Sequence, residues 1–231
     1  MNGMTTRRHR RTPRLRKKQQ RAEATRLAVL DIALDEFARS GLEGARVDRI
    51  AGRAKVNKQA IYYYFGNKEG LFSAALAAVY ERIPEIAVPV AEDETTPEAS
   101  MRALIATLFD HFRGAEQGTA IIAHENRYRG RHLSARVRRQ ISESVAPIIA
   151  AIERALVRGQ RDGVFRRDVR VTDLYLTVVA LSHFYFAHAY TLSAIVAEDL
   201  LAPRAVAAWK RHVGDFVIAA LQRRRRAKST G

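Results

Sequence analysis

Apolar residues recur along this chain at spacings of three and four, and nowhere do they alternate as a half-buried strand requires. The first such pattern predicts a helix from about Ala22 to Arg39, with Leu27, Leu30, Leu34 and Phe37 facing inward and Gly41 as the stop. A short helix over 46–53 follows, with Val47, Ile50, Ala51 and Ala54 on one side. Lys55 and Val56 make a turn, and Asn57 is a good N-cap for a third helix over 58–64. Gly66 ends that helix, and Asn67 caps a fourth over about 68–82.

Pro84, Pro89 and the acidic run Glu92-Asp93-Glu94 mark a linker, after which Thr96-Pro97-Glu98 restarts the helical pattern with a cap, a proline at N1 and an acid in the first turn. Further helices are predicted over 97–113, 116–129, 133–161, 172–196 and 203–223, with Pro147 expected to kink or split the third of these and Asp162-Gly163 to end it. The segment 174–196 is apolar enough to raise the question of a membrane. Thr177, Ser182, His183, His188, Thr191 and Ser193 interrupt it, so it reads as a buried helix and no membrane partner is expected. There is no internal repeat, and the chain is all-α.

The short second and third helices, joined by a tight turn, have helix-turn-helix spacing, in which the second member enters the major groove. At about 100° per residue, Lys58, Gln59, Tyr62 and Tyr63 share one arc of the third helix, and Ala60, Ile61, Tyr64 and Phe65 the opposite one. The first arc offers an ammonium, an amide and two phenols; the second is greasy and can pack. Base edges call for long polar side chains and phosphates for charges and hydroxyls. Gln59 suits adenine, Lys58 suits guanine or phosphate, and the two tyrosines can donate to phosphate oxygens. Lys68, in the first turn of the fourth helix, stands where unpaired amides already favour an anion.

Charge adds to this picture by its placement. Of the net +16, residues 1–26 carry +9 and residues 223–231 carry +5, which leaves +2 for everything between. Such tails favour a polyanion. The arm from Arg7 to Lys18 either lies in a flanking minor groove or acts as a disordered tail that raises non-specific affinity. No apolar stretch follows Lys18, so the basic start is not read as a secretory leader. The absence of cysteine removes disulfides and thiolate metal sites and fits a reducing cytoplasm, with the protein at the nucleoid. With 47% apolar residues the chain can bury a core. It has no phosphate-cradling glycine loop, nucleophile elbow or HExxH motif, so no enzyme, catalytic residue or cofactor is expected. The competing reading is a basic architectural or membrane-surface protein in which the tails do the binding.

The run from Ala24 to Arg82 resembles the DNA-binding domain of the TetR (tetracycline-repressor-like) family, above all in Val56-Asn57-Lys58-Gln59-Ala60-Ile61-Tyr62-Tyr63-Tyr64-Phe65-Gly66-Asn67-Lys68-Glu69-Gly70-Leu71. The resemblance implies an N-terminal three-helix helix-turn-helix domain joined to a C-terminal helical bundle for dimerisation and ligand binding. The expected divisions are an arm at 1–21, the DNA-binding domain at 22–82, the regulatory domain at 83–223 and a tail at 224–231. By position, Tyr62 and Lys68 correspond to phosphate contacts, and Lys58, Gln59, Ala60 and Tyr63 fall where the family reads bases or adjoining backbone. Arg46 stands where the family usually places a phosphate-binding hydroxyl, and Asp48 follows, placed to accept from cytosine or to repel phosphate. Arg49 and Asn57 complete the candidate DNA contacts. The family's turn glycine is here Lys55; the left-handed conformation would cost it about 1 kcal/mol, so an adjusted turn is expected.

The resemblance further implies a homodimer that presents two heads about one DNA turn apart over a palindromic operator. Phe186, Tyr190, Trp209, Val213 and Phe216, on the last two predicted helices, are the candidate interface. The 125–133 run and Tyr190-Thr191-Leu192-Ser193 look like one C-terminal subgroup. A small-molecule effector is implied as well, with His124, Tyr128, His183, Phe184 and His188 as candidates to line its pocket, or else as core and interface residues. His183 and His188 lie about 140° apart on one helix, which disfavours a shared metal ion.

Overall fold

A computed structural model of the chain describes residues 13–81 and 96–222, with side chains from Lys17 onward. Among the described residues ten helices follow in order: α1 Pro13–Gly44, α2 Val47–Ala54, α3 Lys58–Phe65, α4 Lys68–Glu81, α5 Pro97–Phe112, α6 Glu116–Arg127, α7 Ala135–Arg161, α8 Val171–Ala187, α9 Ala189–Val196 and α10 Pro203–Leu221. They form two compact units, Met1–Ala75 and Leu76–Gly231, so the division falls inside α4 and not at the expected 82/83 boundary. Composition marks where a helix ends; it does not mark where along a continuous helix the packing partners change. The expected linker at 84–94, the first twelve residues of the basic arm and the tail at 223–231 lie outside the described residues.

In the first unit, Val29, Leu30, Ala33, Leu34 and Phe37 of α1 meet Val47 and Ile50 of α2, Ile61 of α3, and Leu71 and Phe72 of α4, all of them buried. Phe37 and Phe72 pack edge to face at 5.2 Å. Leu27, expected inside, is 51% exposed; the buried stripe starts at Val29. The helix itself begins earlier than expected, at Pro13. Proline fits the first helical position, and the Arg, Leu, Lys and Gln that follow have good helix propensity, a signal that carries no apolar period. Gly41 is the predicted stop: its φ of 64° and ψ of −177° break α1 before a last turn to Gly44.

The second unit is built on Met101, Leu104, Ile105, Leu108 and Phe109 of α5, which α7, α8 and α10 surround with Ile148, Ile152, Leu156, Val178, Tyr185, Val213, Val217 and Ile218. Trp209 stacks on Tyr185 at 5.4 Å and donates from Nε1 to the Leu181 carbonyl at 3.3 Å. Between α7 and α8, Phe165 is fully buried against Gly159, where an added Cβ would come within 2.0 Å of the ring. Arg166 N–H donates to Leu221 O at 2.8 Å, which ties this loop to the end of α10.

One expected helix split is absent, and one break falls where none is expected. Pro147 does not split α7, which runs through it. Pro147 and Glu143, whose carbonyl loses its amide partner, are both exposed, so the defect faces water. The predicted single helix over 172–196 breaks instead at His188, with φ −120° and ψ 12°, and α9 leaves α8 at 77°. A nearly uniform apolar run gives no phase from which to read such a break. Among the described residues no single helix is long and apolar enough to cross a membrane; the bent α8–α9 pair has the length and composition together.

Candidate nucleic-acid interface

The head is assembled by polar groups that complete helix ends. Asn57 lies in extended conformation before α3 and its Oδ1 accepts from Ala60 N–H at 2.7 Å; Asn67 does the same for Gly70 N–H at 2.7 Å at the start of α4. Gly70 has to be glycine, because a Cβ would land 2.1 Å from the Phe65 carbonyl. At the start of α2, Arg46 occupies the cap position without a capping side chain. Glu36 supplies the missing acceptor from α1. Its buried Oε1 takes the Arg46 N–H at 3.1 Å and the Arg49 guanidinium at 2.9 Å. Asp35, one residue earlier, accepts from Arg53 at 2.6 Å and Arg39 at 2.7 Å, and these guanidiniums, Arg53's hydrogen bond foremost, hold its carboxyl below the usual carboxylate range. Sequence reasoning missed both acids; they show no motif, and what gives them a role is the position of α2 across α1.

Lys55 adopts the left-handed conformation after all, with φ 53° and ψ 39°. The turn is therefore not adjusted around the missing glycine: the lysine takes the strained conformation itself.

On α3 the two arcs separate as the spacing predicts. Ile61 is fully buried, Ala60, Tyr64 and Phe65 are partly covered, and Lys58, Gln59, Tyr62 and Tyr63 are exposed, Tyr63 to 84%. Such exposure of a large aromatic side chain marks a surface prepared for contact. Lys58 Nζ pairs with Asp48 at 3.0 Å, and the carboxylate raises the lysine's pKa above its ordinary value. Lys68 Nζ donates to the Glu43 carbonyl at 3.0 Å, which places the ammonium at the end of α1 beside the start of α4. Arg46 is exposed. Two of the candidates have structural duties: Asn57 uses its carbonyl oxygen as a cap, and Arg49 leans on Glu36.

The pocket candidates in the body lie at the end of α6 and around the end of α8. His183 packs edge to face on Phe112 at 5.6 Å, and burial lowers its pKa, with His188 contributing. Tyr128 packs on His132 at 5.5 Å, while His124 is half-buried on α6. Phe184 and His188 stack on each other at 4.5 Å and are exposed, which removes both from any pocket inside the body of one protomer. Of the interface candidates, Val213 is fully buried in the core of the chain itself, which leaves it nothing to offer a partner. Phe186 and Trp209 are half-buried against that core, and Tyr190 and Phe216 are exposed to 83% and 53%. The helical stripe on α10 is real, but its inner edge serves the protomer itself. Glu125, inside the 125–133 run, is also buried, and its carboxylate accepts from His132 N–H and lies against His132 Nδ1, each at 2.7 Å.

A capped pair of short helices, one exposing a donor-rich arc, defines a helix-turn-helix DNA-binding protein. Comparison with known proteins agrees over both units. Residues 29–75 match the family described as "Bacterial regulatory proteins, tetR family", and residues 97–217 match "Tetracyclin repressor-like, C-terminal domain". The chain is 34% identical over 206 residues to the HTH-type transcriptional repressor NicS of Pseudomonas putida, covering 88% of this chain and 95% of that one. It is 34% identical over 172 residues to the HTH-type transcriptional repressor SCO4008 of Streptomyces coelicolor, covering 70% and 78%. Among solved structures, the transcriptional regulator FadR of Bacillus subtilis in complex with stearoyl-CoA shares the fold with a TM-score of 0.60 at 16% identity, over 85% of this chain and 99% of that one. The chain belongs to the TetR family of transcriptional regulators.

Proposed function

We propose that this regulator is a homodimeric repressor that binds a palindromic operator and is released from it by a small-molecule effector. The observation that carries the DNA contact is the division of α3, with Ile61 fully buried while Lys58, Gln59, Tyr62 and Tyr63 stand in solvent. Tyr62 and Lys68 bind phosphates, which position the head, and Lys58, Gln59 and Tyr63 face the groove, with Ala60 and Arg46 at its margin. Repression is supported by the two relatives named as repressors.

The dimer is supported by large apolar side chains on α8, α9 and α10 that one protomer leaves exposed. Leu176, Phe184, Tyr190, Ile195 and Phe216 are each more than half exposed, and a second copy would cover them. The effector is supported by a fold shared with a regulator solved in complex with stearoyl-CoA; half-buried His124, Tyr128 and His183 are the candidates to meet it. We place the protein with the DNA it reads, at the nucleoid in the cytoplasm.

Selection of bound fragments from random duplex DNA tests the reading, with a palindrome as the expected result. On the selected duplex, Tyr62→Ala combined with Lys68→Ala lowers affinity about 1000-fold or more, since each of the two half-sites loses one neutral and one charge-assisted contact. It also flattens the salt slope by about two units, one for each Lys68 of the dimer. A double variant that binds like wild type would show that the tails do the binding.

A further inference from the structure

Asp48 and Lys58 meet across the helix-turn-helix without holding it together. Lys58 Nζ lies 3.0 Å from one carboxylate oxygen of Asp48 and 3.2 Å from the other, yet the side chains are 45% and 66% exposed, and exposed pairs of this kind contribute little to folding. The caps at Asn57, Asn67 and Glu36 and the buried stripe do that work. What remains unexplained is a carboxylate on the one surface that must approach a polyanion. A bare Asp48 would repel phosphate, and a bare Lys58 would accept any phosphate. Paired, they present a neutral donor and acceptor side by side.

We propose that Asp48 and Lys58 act as one unit that reads an oriented G·C pair in the major groove, Lys58 donating to guanine O6 and N7 while Asp48 accepts from cytosine N4. This rests on placing the exposed arc of α3 against DNA. The two side-chain heads are one hydrogen bond apart, and so are guanine O6 and cytosine N4 within their own pair, so donor lies over acceptor and acceptor over donor. Two of the other three pairs reverse this central order, and the third keeps it but loses the flanking contact. With C·G, the ammonium meets the N4 amino group and the carboxylate meets O6 and N7. T·A repeats the central acceptor and donor with thymine O4 and adenine N6, but a methyl group replaces guanine N7 under the lysine and adenine N7 lies beside the carboxylate, so it binds more weakly than G·C. With A·T, the ammonium meets the N6 amino group and the carboxylate meets O4. Asp48 therefore makes Lys58 selective by neutralising it.

Selection from random duplexes, run on the full-length wild type, Asp48→Ala and Lys58→Ala, tests the inference. The wild type is expected to select G·C in one orientation at one position of each half-site, with T·A in the same orientation next and the two reversed pairs rejected. Asp48→Ala loses that preference and keeps the others, binds unrelated duplex about two- to fivefold more tightly, and steepens the salt slope by about 1.8, one released lysine in each copy. Lys58→Ala loses the same preference and gains nothing on unrelated duplex. Both substitutions are on the surface, and an unchanged helical signal and melting temperature confirm the fold. An Asp48→Ala protein with the wild-type preference and salt slope overturns the inference. If Tyr62→Ala with Lys68→Ala still weakens binding in that case, the head remains the DNA contact and the paired readout alone falls. If neither alters binding, both readings fall.

Discussion

The two units of this chain use polar side chains in different ways. In the head, carboxylates and amides finish the backbone: Glu36 closes the start of α2, Asn57 the start of α3 and Asn67 the start of α4. In the body, helix packing carries the structure. Four helices share a large apolar core, and one polar oxygen, Ser182 Oγ, is buried there without a partner among the described residues. The head has short helices of eight residues, α2 and α3, which are too brief to persist on propensity and need every end satisfied. The body has helices of 16 to 27 residues in α5, α7, α8 and α10; Thr96 and Ser134 cap two of them, and broad buried faces hold all four. A reading surface thus depends on a few discrete hydrogen bonds, while the scaffold depends on area.

That contrast can be attacked from its core. Phe37→Ala removes a fully buried ring and its contact with Phe72, and is expected to cost about 3–5 kcal/mol. DNA binding should vanish, while calorimetry still shows a transition for the body; loss of both transitions together would mean that the units are not separately stable. A milder probe is pH. Burial lowers the pKa of His111 and His183 in the body, so the unfolded chain takes up protons first as pH falls. Stability is therefore complete above the ordinary histidine value of about 6.5 and declines below it, down through the lowered folded values. Melting temperature measured from pH 8 to 5 should fall accordingly, and His183→Phe should shrink the dependence. The smallest effect is expected at the turn: Lys55→Gly relieves a left-handed lysine and raises the stability of the head by about 0.5–1 kcal/mol, with operator binding unchanged. A decrease would show that the lysine's side chain contributes more than its backbone costs.

The same contrast explains what the sequence revealed. The ends of α2, α3 and α4 fell within a residue or two of their observed positions, because Asn57, Gly66 and Asn67 act on neighbours three or four residues away. The exposed arc of α3 followed from helical geometry alone. The tertiary roles of Glu36 and Asp35 are invisible because the partners that give them, Arg46, Arg49 and Arg53, lie 10 to 18 residues ahead at or on α2. In the body, the helices themselves were legible, yet which face each turned inward was not. Val213 and Phe216 sit on one stripe of α10, and only the placement of α5 and α8 decides that the first is buried and the second exposed. The bend at His188 was hidden for a similar reason: residues on both sides are equally apolar, and the cause is the packing around them.

The Glu36 carboxylate also limits how this protein can be re-engineered. Since the first turn of α2 is completed by a side chain from α1, the pair α2–α3 is not a free-standing cassette. A chimera that grafts residues 46–65 onto a related regulator would inherit the fingertips without the wrist, unless the recipient offers an acid in the same place. The smallest transplantable block starts upstream of Glu36.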